Sequence, residues 1–145
     1  MTEDLTLESG EKIKTRGKLT VEDGVTLTIG YGASVEAAVF VATGGAIVVE
    51  GFGALKTTMA GEEALVNHGT VTVKPSGYLL SQFGGHIVNY GTIELGGICY
   101  IGSYYADEHY GVWFSNYGVI KAYTAALILS KWPFAKGQSS GLQLT

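Results

Sequence analysis

The sequence predicts an all-β chain: a single-domain parallel β-solenoid (β-helix) of about five coils, each with three short strands. Three observations predict it. A glycine-anchored segment recurs along the chain. Apolar residues alternate with period two around each copy. Glycine is abundant, 22 of 145 residues, in a chain that is 46% hydrophobic and only 15% charged. That apolar content excludes glycine-rich disorder. With 2 Pro and no glycine at every third position, a collagen-like chain is excluded as well.

The repeat is clearest in Asn67-His68-Gly69-Thr70-Val71, Asn89-Tyr90-Gly91-Thr92-Ile93 and Asn116-Tyr117-Gly118-Val119-Ile120. Two degenerate copies precede them, anchored at Gly17 and Gly45, so the anchors are spaced by 28, 24, 22 and 27 residues. Two residues after the anchors stand Leu19, Ile47, Val71, Ile93 and Ile120. Four after stand Val21, Val49, Val73, Leu95 and Ala122. Eight after stand Val25, Gly53, Gly77, Cys99 and Ala126, and ten after stand Leu27, Leu55, Leu79, Ile101 and Ile128. Four before stand Ile13, Val41, Leu65, Ile87 and Phe114. No column holds a charge. The first strand of each coil ends just before the anchor and the second starts just after it. The third follows a turn at Asp23-Gly24, Gly51, Pro75-Ser76 or Gly96-Gly97. The boundaries are an N-terminal cap at about 1–10, coils at about 11–129 and a C-terminal tail or cap at 130–145.

Two residues before the anchors stand Thr15, Thr43, Asn67, Asn89 and Asn116. Parity turns this column inward, where an unpaired amide is costly. Stacked Asn side chains satisfy one another, so Asn67, Asn89 and Asn116 are expected to form a structural ladder.

The motif Asn-x-Gly-Thr-Ile/Val, followed by a second glycine turn, resembles the β-helix repeats of bacterial adhesins, autotransporter passengers and phage tailspikes. The resemblance covers roughly 13–129 and implies a right-handed coil. It leaves function open, because that fold serves lyases, adhesins and inert rods alike.

The same offsets give the outer faces. The second-strand face, with Lys18, Thr20, Ala46, Val48, Thr70, Thr72, Thr92, Glu94, Val119 and Lys121, is mostly polar. The third-strand face (Thr26, Thr28, Ala54, Lys56, Tyr78, Leu80, Tyr100, Leu127, Leu129) turns apolar from the third coil onward. The first-strand face (Phe40, Ala42, Ala64, Val66, His86, Val88, Trp113) is apolar too. Two apolar outer faces predict an interface. A homo-oligomer is expected, with a closed trimer favoured. The alternative is that loops fold back over both faces.

Length variation gathers at one corner: 28–40, 56–64, 80–86 and 102–113. The last of these is rich in aromatics. The candidate binding residues, for a second copy or for a glycan, are Tyr78, Tyr100, Tyr104, Tyr105, Asp107, His109, Tyr110 and Trp113.

Catalytic chemistry is not expected. A glycan lyase or hydrolase needs carboxylates clustered on the outer strand faces, and Glu94 is essentially the one outward acid there. His68, His86 and His109 lack metal-ligand spacing, and 1 Cys allows neither a disulfide nor a CxxC knuckle. No metal and no cofactor is implied. The pairs Thr26-Leu27-Thr28 and Thr70-Val71-Thr72 are expected on different strands, which breaks an ice-matching array. The formal net charge of −4 argues against nucleic acid. No apolar run reaches a membrane span. The N-terminus lacks the features of a signal peptide, which points to folding in a cytoplasm. These readings favour a non-catalytic structural or interaction protein of a virion (spike, fibre or capsid decoration) or of a cell surface. The alternative is a carbohydrate-binding adhesin module, and a glycan enzyme ranks last.

Overall fold

The computed structural model describes residues 1–58, 63–81, 86–96, 100–103, 113–122 and 142–144. Among these residues the chain is strand and turn throughout. In chain order the strands are β1 (Leu5–Leu7), β2 (Lys12–Val21), β3 (Thr26–Ile29), β4 (Ser34–Val41), β5 (Ala46–Val49), β6 (Ala54–Thr57), β7 (Glu63–Asn67) and β8 (Thr70–Val73). They continue as β9 (Tyr78–Ser81), β10 (His86–Asn89), β11 (Thr92–Leu95), β12 (Tyr100–Ser103), β13 (Trp113–Asn116), β14 (Val119–Ala122) and β15 (Leu142–Leu144).

The strands form two sheets. The first has the order β1-β3-β5-β8-β11-β14-β15, and the second β12-β9-β6-β4-β7-β10-β13, with β2 beside β4. The pairings are parallel and join equivalent strands of successive coils, which makes the fold a parallel β-solenoid. It makes about four turns rather than five. A rung is added at each end by β1 and β15.

Period-two alternation directs one side of every strand into the coil. Leu27, Ile47, Val71 and Ile93 are in register and fully buried. So are Val35, Leu55 and Leu79 on the opposite sheet. Burying each such side chain contributes about 1.5–3 kcal/mol. Each coil stacks only on its neighbours, so the core is a set of columns.

The N-terminal copy of the repeat needs correction. Leu27, not Leu19, pairs with Ile47, so the residue equivalent to Gly45 is Val25 and not Gly17. Leu19 and Val21 lie in β2, beside Val39 and Val41 of β4. Ile13 pairs with Val35, in the column that continues to Leu55 and Leu79. Gly17 sits in the register shift of β2 between Lys14 and Lys18. The physical cause is that Gly17-Lys18-Leu19-Thr20-Val21 has the same glycine-plus-alternation pattern as a true anchor. Two surface assignments move with the frame. Thr26 and Thr28 belong to the first sheet, while Lys18 and Thr20 lie against β4. The two Thr-x-Thr pairs therefore share one sheet, on rungs separated by Ala46-Ile47-Val48. Glu94 and Lys121 follow on the next rungs, so the threonine rows are still interrupted.

The coil has three corners. At the first, the chain passes from the second sheet to the first sheet. The second corner leads back through a turn such as Glu50–Gly53. The third lies within the second sheet, between the strands that open and close each pass. There β4 runs through unbroken, so the expected insertion at 28–40 is absent: that stretch holds the end of β3, a turn and β4. From the next coil onward the strands on either side are separate, β6 and β7, β9 and β10, β12 and β13; the expected insertions between them fall on 59–62, 82–85 and 104–112, outside the described residues.

Candidate binding surfaces

The first corner is built in two ways. In the N-terminal coils it takes four residues, Glu22–Val25 and Ala42–Gly45, closed by Val25 N–H donating to Glu22 O (3.2 Å) and Gly45 N–H donating to Ala42 O (2.9 Å). The inward residue before these turns is Val21 or Val41, fully buried. In later coils the turn shrinks to two residues, and the column residue becomes Asn67, Asn89 and Asn116. Thr15 and Thr43, expected in this column, are exposed instead.

The amides do the work that the shortened turn cannot. Asn67 Oδ1 accepts from Gly69 N–H at 3.1 Å. Asn67 Nδ2 donates to Asn89 Oδ1 at 2.8 Å, and Asn89 Nδ2 donates to Asn116 Oδ1 at 2.8 Å. Each also reaches a carbonyl on the next rung, Thr92 O and Val119 O, both at 3.1 Å. This is the expected ladder, and its amides are spent on the fold. The anchor glycines are needed for close approach: a Cβ on Gly69, Gly91 or Gly118 would overlap the carbonyl oxygen of Gly45, Gly69 or Gly91 respectively.

Outside the ladder runs a row of rings that the repeat aligned but did not announce as a stack. His68 and Tyr90 stack at 4.7 Å with 11° between planes, and Tyr90 and Tyr117 at 5.3 Å with 14°. Phe40 continues the row at 5.4 Å from His68, under the Lys18 ammonium at 5.3 Å. Tyr90 and Tyr117 are 49% and 58% exposed. Tyr90 has a ring against each face, while Tyr117 stacks through the one face turned to Tyr90.

The second corner carries a different aromatic pair. Its turns are 8–11, 30–33, 50–53 and 74–77, each closed by a hydrogen bond from the fourth residue to the first (2.9–3.0 Å). The third position has a left-handed backbone: Gly10, Gly32, Phe52 (φ 59) and Ser76 (φ 67). A bulky residue there costs about 1–2 kcal/mol over glycine. Phe52 is nonetheless 54% exposed and meets Tyr31, 64% exposed, edge-on at 5.4 Å and 67°. Aligning the turns in the corrected frame finds this site: Gly30-Tyr31-Gly32 and Gly51-Phe52-Gly53 carry one aromatic each, at different turn positions.

At the third corner Tyr78 and Tyr100 are in register on adjacent rungs. Tyr78 is half-buried. Trp113 opens β13 and pairs with His86. Tyr104, Tyr105, Asp107, His109 and Tyr110 lie outside the described residues, as does Cys99. The outer first-strand face differs from expectation. Val66, Val88 and Ser115 point away from the coil yet are only 8%, 3% and 3% exposed. That face is not open to solvent in the single chain. His86 Nε2 lies 2.5 Å from Ser115 Oγ, which satisfies the buried hydroxyl.

Charges on the outer faces are paired across rungs: Lys14 with Glu36 at 3.8 Å and Lys121 with Glu94 at 4.0 Å. Among the described residues no three His, Cys, Asp or Glu side chains gather into a metal site, and no helix is long and apolar enough to cross a membrane. No protein-family model matches the chain, and neither the curated proteins nor the solved structures give a match.

Proposed function

We propose that this chain is a non-catalytic structural or interaction rod, assembled side by side as a homotrimer in a virion or on a cell surface. The observation that carries the reading is how the outward side chains are used. On the first sheet they are Thr26, Thr28, Ala46, Val48, Thr70, Thr72 and Thr92, with Glu94 and Lys121 engaged with each other. On the second sheet Ala54, Tyr78 and Leu80 are half-buried on the third strands, an apolar strip that Lys56 borders beside Leu80. Such a surface suits packing better than proton transfer, which needs a positioned acid or base. The strip on the third-strand face is the contact for a neighbouring copy. The first-strand face, being covered, is not part of that contact. Sedimentation equilibrium at micromolar concentration is expected to give three times the chain mass. A monomer mass overturns the assembly.

A second reading is a carbohydrate-binding module at the third corner. It is favoured by Tyr78 and Tyr100 standing in register on β9 and β12, with the Tyr-rich 104–112 segment next in sequence. A Tyr78→Ala, Tyr100→Ala variant that keeps its mass but loses glycan-array binding supports this reading over the first.

A further inference from the structure

We infer that the second corner is a binding strip for a neutral, extended β-linked polysaccharide, with Tyr31 and Phe52 as stacking platforms and Pro75 as the next contact. The inference rests on the reading of the chain as an outward-facing interaction rod, and it places a ligand at a corner that reading leaves unused.

Three observations carry it. Among the described residues Tyr31 and Phe52 rank first and third in exposure of the large apolar side chains, at 64% and 54%, with Tyr117 between them. Their rings meet edge to face at 67°, so they cover less of each other than the rings of the first corner, which stack at 11° and 14°. Sugars stack on aromatic faces, not on ring edges, so the crossed pair offers more of the right surface than Tyr90, which is covered on both sides. Phe52 also holds a left-handed backbone where the two preceding turns place Gly10 and Gly32 and the next places the small Ser76. An exposed side chain retained against local strain points to a role outside the chain.

The geometry selects the class of ligand. Tyr31, Phe52 and Pro75 lie on three consecutive rungs, tied by Gly32 N–H donating to Phe52 O at 3.1 Å and Phe52 N–H donating to Ser76 O at 2.9 Å. Rungs repeat every ~4.8 Å, close to the advance per sugar of an extended β-1,4-linked hexopyranose chain. A glycan running along the coil axis therefore meets one apolar contact per sugar. The turns contribute Glu8, Glu11 and Glu50 against Lys74. Carboxylates accept hydrogen bonds from sugar hydroxyls and repel acidic polysaccharides, so a neutral ligand suits the strip better than an acidic one. Two rings and a proline on three turns fall well short of the ~800 Å² per partner that a stable protein contact buries.

Titration calorimetry of the whole chain with cellohexaose, mannohexaose and xylohexaose tests the site. At least one hexaose is expected to bind. Phe52→Gly and Tyr31→Ala should each weaken it about tenfold, the effect of losing one stacking contact. Tyr117→Ala should leave it within about twofold. Glycine suits the Phe52 backbone, so that variant keeps its fold and its loss of binding is interpretable. No binding of any hexaose overturns the inference, as does binding that survives in the Tyr31→Ala, Phe52→Gly double variant. Binding lost in Tyr78→Ala but kept in Phe52→Gly moves the glycan to the third corner and also overturns it. A changed sedimentation mass in Phe52→Gly makes the strip a contact between copies, with the same consequence. The trimer reading fails separately: a monomer that binds hexaose overturns the assembly and leaves this site standing.

Discussion

The first and second corners of the coil both show aromatic rings to solvent, yet they solve opposite problems. At the first corner the turn has been cut to two residues, and the backbone can no longer close it unaided. Buried Asn67, Asn89 and Asn116 supply the missing hydrogen bonds, and the His68–Tyr90–Tyr117 rings stack above them. At the second corner each four-residue turn closes itself through its own backbone. Nothing in that closure asks for Phe52, and its left-handed φ of 59° argues against it. Side chains at one corner maintain the coil. Those at the other are tolerated by it.

Breaking the ladder should have the largest effect. Asn89→Ala removes the acceptor for Asn67 Nδ2 and the donor for Asn116 Oδ1, both in buried surroundings. The variant also loses the bonds from Asn89 Nδ2 to Gly91 O and Val119 O. Buried hydrogen bonds at about 1 kcal/mol each imply a loss on the order of 3 kcal/mol. Thermal or urea unfolding of the variant measures it. The companion test is Val21→Asn, which puts the ladder residue into a coil with a four-residue turn. Its column neighbour is Val41, which offers no polar atom, so the amide is buried unpaired and stability should fall by about 1–3 kcal/mol. If Val21→Asn stabilises the chain, the link between turn length and ladder is wrong.

This link also explains what could be read from the sequence. A two-residue turn requires a capping amide and a glycine beside the next carbonyl, so Asn-x-Gly is written plainly at 67–69, 89–91 and 116–118. The anchors of the three later coils and the strands on either side of them were therefore legible to the residue. The four-residue turns at Glu22–Val25 and Ala42–Gly45 close on backbone alone and impose no such signature. With no mark to follow, the alternation around Gly17 matched the anchor pattern by chance and shifted the first coil by eight residues, from Val25 to Gly17. Site residues fared differently. A ring stack and a crossed ring pair differ only in interplanar angle, which depends on which turn position each aromatic occupies. Tyr90 and Tyr117 hold equivalent positions, whereas Tyr31 and Phe52 are offset by one.

The comparison sharpens with one exposed ring from each corner. Tyr90→Ala deletes contacts on both ring faces, to His68 and to Tyr117. At about 0.5–1.5 kcal/mol per aromatic pair, the loss should be about 1–3 kcal/mol. Phe52→Gly deletes one edge contact but relieves a left-handed backbone worth about 1–2 kcal/mol, offset by glycine's own entropy cost of about 0.5–1 kcal/mol. The net change should be within about 1 kcal/mol of zero. Parallel thermal melts of the two variants decide it: equal losses would mean that the second-corner pair is structural after all.

The smallest effect belongs to neither corner and serves as their reference. Thr72 lies on the open face of the first sheet, directly beside Glu94 on the next rung. Charges facing each other across neighbouring strands contribute roughly 0.2–1 kcal/mol, with the sign set by like or unlike pairing. Thr72→Lys should therefore be neutral or slightly stabilising, and Thr72→Asp slightly destabilising. The gap between them should close as salt rises, because exposed charges are screened. Melts at low and high salt measure this directly. A gap that persists in salt, or one of opposite sign, would place Thr72 away from Glu94. It would then undo the register on which the ladder, the ring stack and the crossed pair are all aligned.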